Sequence, residues 1–565
     1  MSLNKNLLIF AAIFSLSVFS ACSSDEGADL ILYNGVIATM DDSMTEAEAV
    51  AVIGDRIIAV GTTDEVLAHA GRNTERINLD GRFVSPGFIE GHAHFPGVGE
   101  LRMQLDLLGV ESWQEIISIV EQAVAEAEDG ELILGRGWHQ NDWTVEPERM
   151  VGDLPHHEQL SAISPNNPVI LRHASGHMRF ANAYAMEMAG VDNDTENPRG
   201  GEIVRDDSGE AAGPFRQRAM DILLPIEENW QPNVAEVMQN ANEESLRFGI
   251  TTFGDAGTPV SIIEQMIEVH QTTPLSVRLH LMARDSNENL REGLPRIAGE
   301  IDGDPYFTVS GIKKAIDGAL GTHGAWMVDP YTDRPETSGF NTTPLDEIYE
   351  AGELALQHNL QMAVHAIGDR GNREAMDLYE AIWAEHGVDG TALRWRIEHA
   401  QNLQPDDIPR LSELGLIASM QGVHATSDGP WVPQRIGEER SRYGAYVWRS
   451  LLDEGTVIIN GTDAPVERLD PLPSFHGSVT REMRNGQQFY PEQSMTREEA
   501  LRSYTIDGAY GIFREHELGS IEVGKFADFT IFDLNLLTVS DDELREAKVT
   551  HTIVGGKVVY TASEQ

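Results

Sequence analysis

A chain of 565 residues is too long for one small core, and a large domain with an accessory one is its natural organisation. Its 41 basic and 91 acidic side chains leave a formal net charge of −50, which argues against nucleic acid and anionic lipid headgroups as partner surfaces. With 52 Gly, 25 Pro and 41% hydrophobic residues, the composition is that of a folded chain with many turns, not a disordered one.

The first residues read as an export signal. Asn4 and Lys5 precede the apolar run Leu7-Leu8-Ile9-Phe10-Ala11-Ala12-Ile13-Phe14, and small residues follow at Ser20-Ala21-Cys22. The run is short for a bilayer span. Cys22 is the only cysteine of the chain, and its setting after Phe19-Ser20-Ala21 resembles a bacterial lipobox. The expectation is a signal peptide over 1–22, a lipid on Cys22, a tether over 23–28 and an exported protein facing the periplasm or cell exterior. Contact with a membrane would run through that lipid alone. No cysteine is left for a disulfide or a thiolate metal site.

From Asp29 to about Arg82 short strand-like runs alternate with turns: Leu30-Ile31-Leu32-Tyr33, Val36-Ile37-Ala38-Thr39, Ala49 to Ile53 and Arg56 to Val60, with hairpin signals at Asn34-Gly35 and Gly54-Asp55. A similar passage closes the chain around Asp528 to Phe532, His551 to Val554 and Lys557 to Tyr560. Neither end holds enough strands for a stable sheet, so one β-sandwich built from both termini (29–84 and 511–565) is expected.

Between them, over 85–510, eight apolar runs alternate with helical stretches: Phe83 to Glu90, Gly249 to Phe253, Val277 to Met282, Phe307 to Ile316, Leu360 to His365, Trp395 to Glu398, Leu416 to Met420 and Thr456 to Gly461. Near-continuous apolar strands in βα units make an α/β chain with a (β/α)8 barrel of the TIM type. The long gap over 97–235 exceeds one crossover and reads as an insertion after the first strand, placed to overhang the mouth as a lid.

Histidines and acids gather where these strands end. His92 and His94, two apart, face the same side of a strand and can clasp one metal ion. Lys313 with Asp317, His365, Glu398-His399 and Asp463 follow at four further strand ends. Imidazole with carboxylate is a donor set of zinc type, and the C-terminal end of the strands is where barrels keep their chemistry.

Ser85-Pro86-Gly87-Phe88-Ile89-Glu90-Gly91-His92-Ala93-His94, Lys313…Asp317-Gly318, His365-Ala366-Ile367-Gly368-Asp369, Glu398-His399-Ala400, Gly461-Thr462-Asp463-Ala464-Pro465 and the tail Leu518 to Phe529 carry a resemblance. Over nearly the whole mature chain, and in the same order, they resemble the amidohydrolase superfamily, in its amidohydrolase-3 branch of YtcJ-like enzymes related to N-substituted formamide deformylase. The resemblance implies a barrel with a small β-sandwich and a divalent metal, zinc by ligand type, with one or two ions per chain. His92, His94 and Asp463 would hold the more buried ion, His365 and His399 the second, and an N-carboxylated Lys313 would bridge them. Lys313 and Lys314 point to opposite faces of a strand, and the spacing to Asp317-Gly318 selects Lys313.

By this reading the metal generates hydroxide near neutral pH and polarises the scissile carbonyl, while Asp463 moves the proton to the departing nitrogen. Trp138, His139, His173 and His177 fall in segments that resemble the branch's pocket lining. Asp317 joins them, and Arg370 is a candidate for meeting a carboxylate. The expected substrate is a small organic amide or formamide. The alternatives are an N-acyl amino acid, a cyclic amide, a carbamate or an ester. Outside catalysis stand a metal-loaded periplasmic binding protein and a structural surface protein. The oligomer is left open, a homodimer among the arrangements.

Overall fold

The computed structural model describes residues 27–44, 46–140, 143–174, 176–228 and 230–563. Cys22, the expected signal peptide and most of the expected tether lie outside the described residues. The first described strand, Ala28–Tyr33, already begins inside the segment expected as tether.

Eight parallel strands form the centre: Phe88–Ala93, Ile250–Thr258, Arg278–Ala283, Phe307–Ala315, Gln361–Ala366, Arg396–His399, Ile417–Gln421 and Val457–Gly461. Each pairs with its successor, and the first and eighth bring the sheet close to closure. Just past their ends, Asp463 N donates to His92 O at 2.7 Å and His94 N to Ala464 O at 2.7 Å. Gly91 permits this approach, since a Cβ there would lie 2.5 Å from Asn460 O. The strands are buried on both faces, as a parallel sheet wrapped by helices requires.

The run Phe83 to Glu90 is not one strand. Phe83–Pro86 joins a peripheral sheet, pairing with Phe529–Phe532 and Val36–Ala38, and the barrel strand starts at Phe88. The break falls at Gly87, where a Cβ would collide with the Thr251 side chain at 2.1 Å. Asn34-Gly35 is no hairpin turn either. Ala28–Tyr33 pairs with Ala49–Ile53 and Ala70–Asn78, and the left-handed Asn34 (φ 58°) carries the chain across to the other sheet. Gly54-Asp55 does close a hairpin, and Gly555-Gly556 closes the terminal one. The six-stranded peripheral sheet thus holds strands from both ends of the chain, and its apolar face packs with the four-stranded sheet through Leu30, Val50, Val84 and Phe529.

Between the first and second barrel strands a six-stranded mixed sheet stands on its own apolar clusters. It reaches back to the mouth. Arg136 Nε donates to Pro465 O at 3.5 Å, and Arg468 bonds Asp106 at 3.1 Å and Leu108 O at 2.8 Å. No helix among the described residues is long and apolar enough to cross a membrane.

Candidate active site

The first strand delivers His92 buried at the mouth, and His94 stands at the N-terminal edge of the helix Phe95–Leu101. His92 Nε2 lies 3.5 Å and His94 Nε2 3.3 Å from the same oxygen, Asp463 Oδ1. The other ring nitrogen of His92, Nδ1, bonds the carboxylate of Glu398. Arg396 grips that carboxylate with two bonds, 2.6 and 3.1 Å, and also donates to Gly91 O and Ser419 Oγ. A carboxylate behind an imidazole fixes its tautomer and aims Nε2 outward, the usual support for a metal-binding histidine. Burial works against the charges of Glu398 and Asp463. Arg396 and His92 nevertheless hold Glu398, and His92 and His94 hold Asp463, well below the usual carboxylate range.

His399 follows the sixth strand, its ring centroid 4.7 Å from that of His92 and 4.5 Å from that of His365. Its Nδ1 meets Gln421 Oε1 at 2.7 Å, so Nε2 is left for the cluster. His399 and Asp463 both have left-handed backbone, φ 75° and 57°. Such geometry costs on the order of 1–3 kcal/mol per residue and persists where surrounding contacts impose it, commonly at functional sites. Burial lowers His399 to about 3 and takes His365 well below the ordinary imidazole range, so both rings present neutral lone pairs near pH 7.

Lys313 faces the cavity, its Nζ donating to Ala256 O at 3.2 Å, whereas Lys314 bonds Asp285 O at 2.7 Å. Burial pushes the Lys313 ammonium down to about 8.

One member was missed in the sequence. His424 stands on the helix Gly422–Asp428 after the seventh strand, 4.0 Å from Asp463 Oδ2. Among the described residues, two sets have donor atoms close enough to share an ion: His92, His94 and Asp463, and His399, His424 and Asp463. A solitary histidine inside a helix has no paired spacing to mark it. Its one signal was position, just beyond the only late strand end that lacked a candidate.

The cluster lines a cavity of about 1920 Å3, to which the sheet inserted after the first strand contributes Arg136, His173 and Arg216. The sequence profile of the amidohydrolase family (Amidohydro_3) matches residues 75–560. The chain belongs to this family.

Its similarity extends along almost the full length of several relatives. The Arabidopsis thaliana protein LONG AFTER FAR-RED 3 is 33% identical over 94% of this chain and 92% of its own. The YtcJ amidohydrolase of Bacillus subtilis and the N-substituted formamide deformylase of Arthrobacter pascens are each 28% identical over 94% of this chain, covering 99% and 98% of theirs. A solved metal-dependent hydrolase from Pyrococcus furiosus, 28% identical, superposes with a TM-score of 0.71 over 90% of this chain and 100% of its own. The chain is thus a member of the YtcJ-like amidohydrolases, a metal-dependent family.

Around this amidohydrolase centre the expected lining residues divide. His139, His173 and His177 border the cavity. Trp138 does not. It is fully buried in the inserted sheet, donates to Leu171 O at 3.1 Å and packs against Trp143, His173 and Phe180. Asp317 borders the cavity, but its two oxygens accept the amides of Trp326, Ile367 and Gly368 at 2.7–3.0 Å. It braces the loops after the fourth and fifth strands and leaves Oδ1 3.7 Å from His365 Nε2. Arg370 is away from the cavity, stacked 4.3 Å over Trp326 and paired with Glu374 at 3.4 Å. It begins the helix Asp369–His386, and its half-exposed side chain runs along the outer surface.

Proposed function

We propose that this chain hydrolyses a non-peptide C–N bond, of the amide or formamide type, in a small organic substrate. The observation that carries the reading is a convergence of buried atoms with unmet bonding capacity. Among the described residues His365 Nε2 and His424 Nε2 have no hydrogen-bond partner, and Asp463 Oδ1 has only the two imidazole nitrogens at 3.3 and 3.5 Å; all three belong to residues lining the cavity. Unsatisfied buried polar atoms are costly. A divalent cation would satisfy them, and a nitrogen-rich set with one carboxylate suits zinc. His92, His94 and Asp463 would hold one ion. His365 and His399, with His424 beside them, would hold a second, and an N-carboxylated Lys313 would stand between. A cation there supplies Lewis acidity, lowering the pKa of water toward 7 and polarising a carbonyl.

The protein's own part is positioning and proton transfer. His92 and His94 engage Asp463 Oδ1, which leaves Oδ2 on the side of His424 to take a proton from the attacking water. Asp463 then delivers that proton to the departing nitrogen, giving a carboxylic acid and an amine from amide and water. The similarity to a formamide deformylase supports the bond type. The test is metal analysis of the purified protein, then assays on N-formyl, N-acetyl and N-acyl amino acid substrates with and without chelator. Turnover that chelation removes and zinc restores is expected; metal-free protein without turnover overturns the reading. Export and anchoring through a lipid on Cys22 is proposed on the sequence alone.

A further inference from the structure

The arginines around the cavity are mostly neutralised. Arg216 pairs with Asp153 and Glu202, Arg334 with Glu336, Arg435 with Asp333, Arg468 with Asp106 and Arg545 with Glu482. Arg284 differs. Its guanidinium makes no hydrogen bond and no ion pair among the described residues, although its side chain is open to the cavity. It sits one residue past the third barrel strand, held by its backbone N–H on Thr258 O at 2.9 Å. Gly257 lets its stem lie close to the metal-site lysine. A Cβ at Gly257 would stand 2.9 Å from Arg284 Cδ and 3.2 Å from Lys313 Cγ.

The acids in reach are already committed. Asp255 and Asp463 attract the guanidinium electrostatically. But Asp255 accepts Phe95 N, Gly257 N and Thr258 Oγ1, and Asp463 faces the histidines. Asp285, next in sequence, is turned to Val260 N, Ser286 N and Asn289. An arginine fork beside a reaction centre, with its donors unused, matches a planar carboxylate, which it can hold with two parallel bonds. The chain's net charge of −50 does not prevent this, because charges more than about 8 Å away are largely screened at physiological ionic strength.

We propose that Arg284 is the carboxylate anchor of the pocket, so that the preferred substrate is an N-acyl or N-formyl amine carrying a carboxylate near the scissile bond. This rests on the hydrolytic reading above and narrows its substrate class; it also transfers to Arg284 the role the sequence had suggested for Arg370.

The test compares N-formylphenylalanine with N-formylphenethylamine, which differ only by the carboxylate, on the metal-loaded full-length protein and its R284Q and R284K variants. Losing one partner of a desolvated charge pair should lower kcat/KM of R284Q for the acid about 100-fold, mostly through KM, with the neutral formamide changed less than about threefold and R284K recovering part. An equal fall for both compounds assigns Arg284 to Lys313 or to the fold and overturns the proposal, as does no change for either. Equilibrium binding of N-formylphenylalanine keeps the two readings apart. If the wild type binds the acid without hydrolysing it and R284Q binds at least about tenfold more weakly, the anchor stands and the hydrolytic reading falls. Equal binding by both proteins, or none by the wild type, overturns the anchor.

Discussion

His92 and Glu398, 306 positions apart in sequence, meet in a buried hydrogen bond between Nδ1 and a carboxylate oxygen at the barrel mouth. The same carboxylate is clamped by Arg396, so one imidazole is oriented by a charge relay spanning the first and sixth strands. Glu398→Ala should therefore lower metal affinity about 10–100-fold, the usual effect of removing such support. It also strands a fully buried guanidinium, so a loss of roughly 3–5 kcal/mol of stability is expected. Metal titration and denaturant unfolding of the same preparation check both. Unchanged affinity would remove Glu398 from the site.

Glu90 gives a pH prediction of definite sign. Burial raises its folded pKa to about 7, from an ordinary value of 4.5, although His92 N and Thr462 N donate to its Oε1. Between these two values the unfolded chain releases the proton first, so unfolding gains relative to folding as pH rises. The contribution is fully present below pH 4.5 and is lost as pH climbs to about 7. Glu90→Gln keeps the accepting oxygen and carries no charge. Melting curves should show it stabilised relative to wild type at pH 8, by no more than on the order of 3 kcal/mol, and near parity at pH 4.5. A variant less stable at pH 8 than at pH 4.5, relative to wild type, would reverse the sign and defeat the explanation.

The barrel was legible because a buried parallel strand leaves a continuous apolar run, and because the His and Asp residues stand where such runs end. Failures came where alternation or a turn signal had two meanings. Phe83 to Glu90 reads as one apolar run, and only the collision with Thr251 at Gly87 explains its division. Asn34-Gly35 supplies the left-handed residue of a hairpin, but also that of a crossing between sheets. Trp138 ends the strand Ile133–Trp138 with its ring in the core, whereas His139, just past the strand, borders the cavity. Arg370 and Arg284 could not be ranked without knowing that Trp326 and Glu374 occupy the first and that, among the described residues, no side chain pairs with the second.

His424 was silent in the sequence, and its role can be separated from a packing role by metal content. His424→Asn keeps a polar group but shifts the donor atom. Its metal stoichiometry by elemental analysis should fall while the melting temperature of the metal-free protein stays within about 1 °C of wild type, a shift near 1 kcal/mol or less for a chain this size. Full loading would exclude it as a ligand.

Cys22 can be tested without reference to the fold. In a bacterial host, Cys22→Ala should move the protein from the detergent-extracted membrane fraction into the soluble exported fraction, with specific activity intact. A variant that still sediments with membranes would show that something other than a lipid on this residue retains it.

Asp463 links the two histidine sets, because Oδ1 faces His92 and His94 and Oδ2 faces His424. Asp463→Asn preserves size and one accepting oxygen but cannot carry a proton between water and the leaving nitrogen. Loss of the shuttle alone should lower kcat by about 10²–10⁴-fold. Loss of a ligand should instead appear as reduced metal content, so both are to be measured on the same sample. The left-handed backbone at this position is tolerated by Asn as readily as by Asp, so folding should survive. Turnover within about tenfold of wild type at full metal loading would place the proton transfer on another group, with His424 the next to examine.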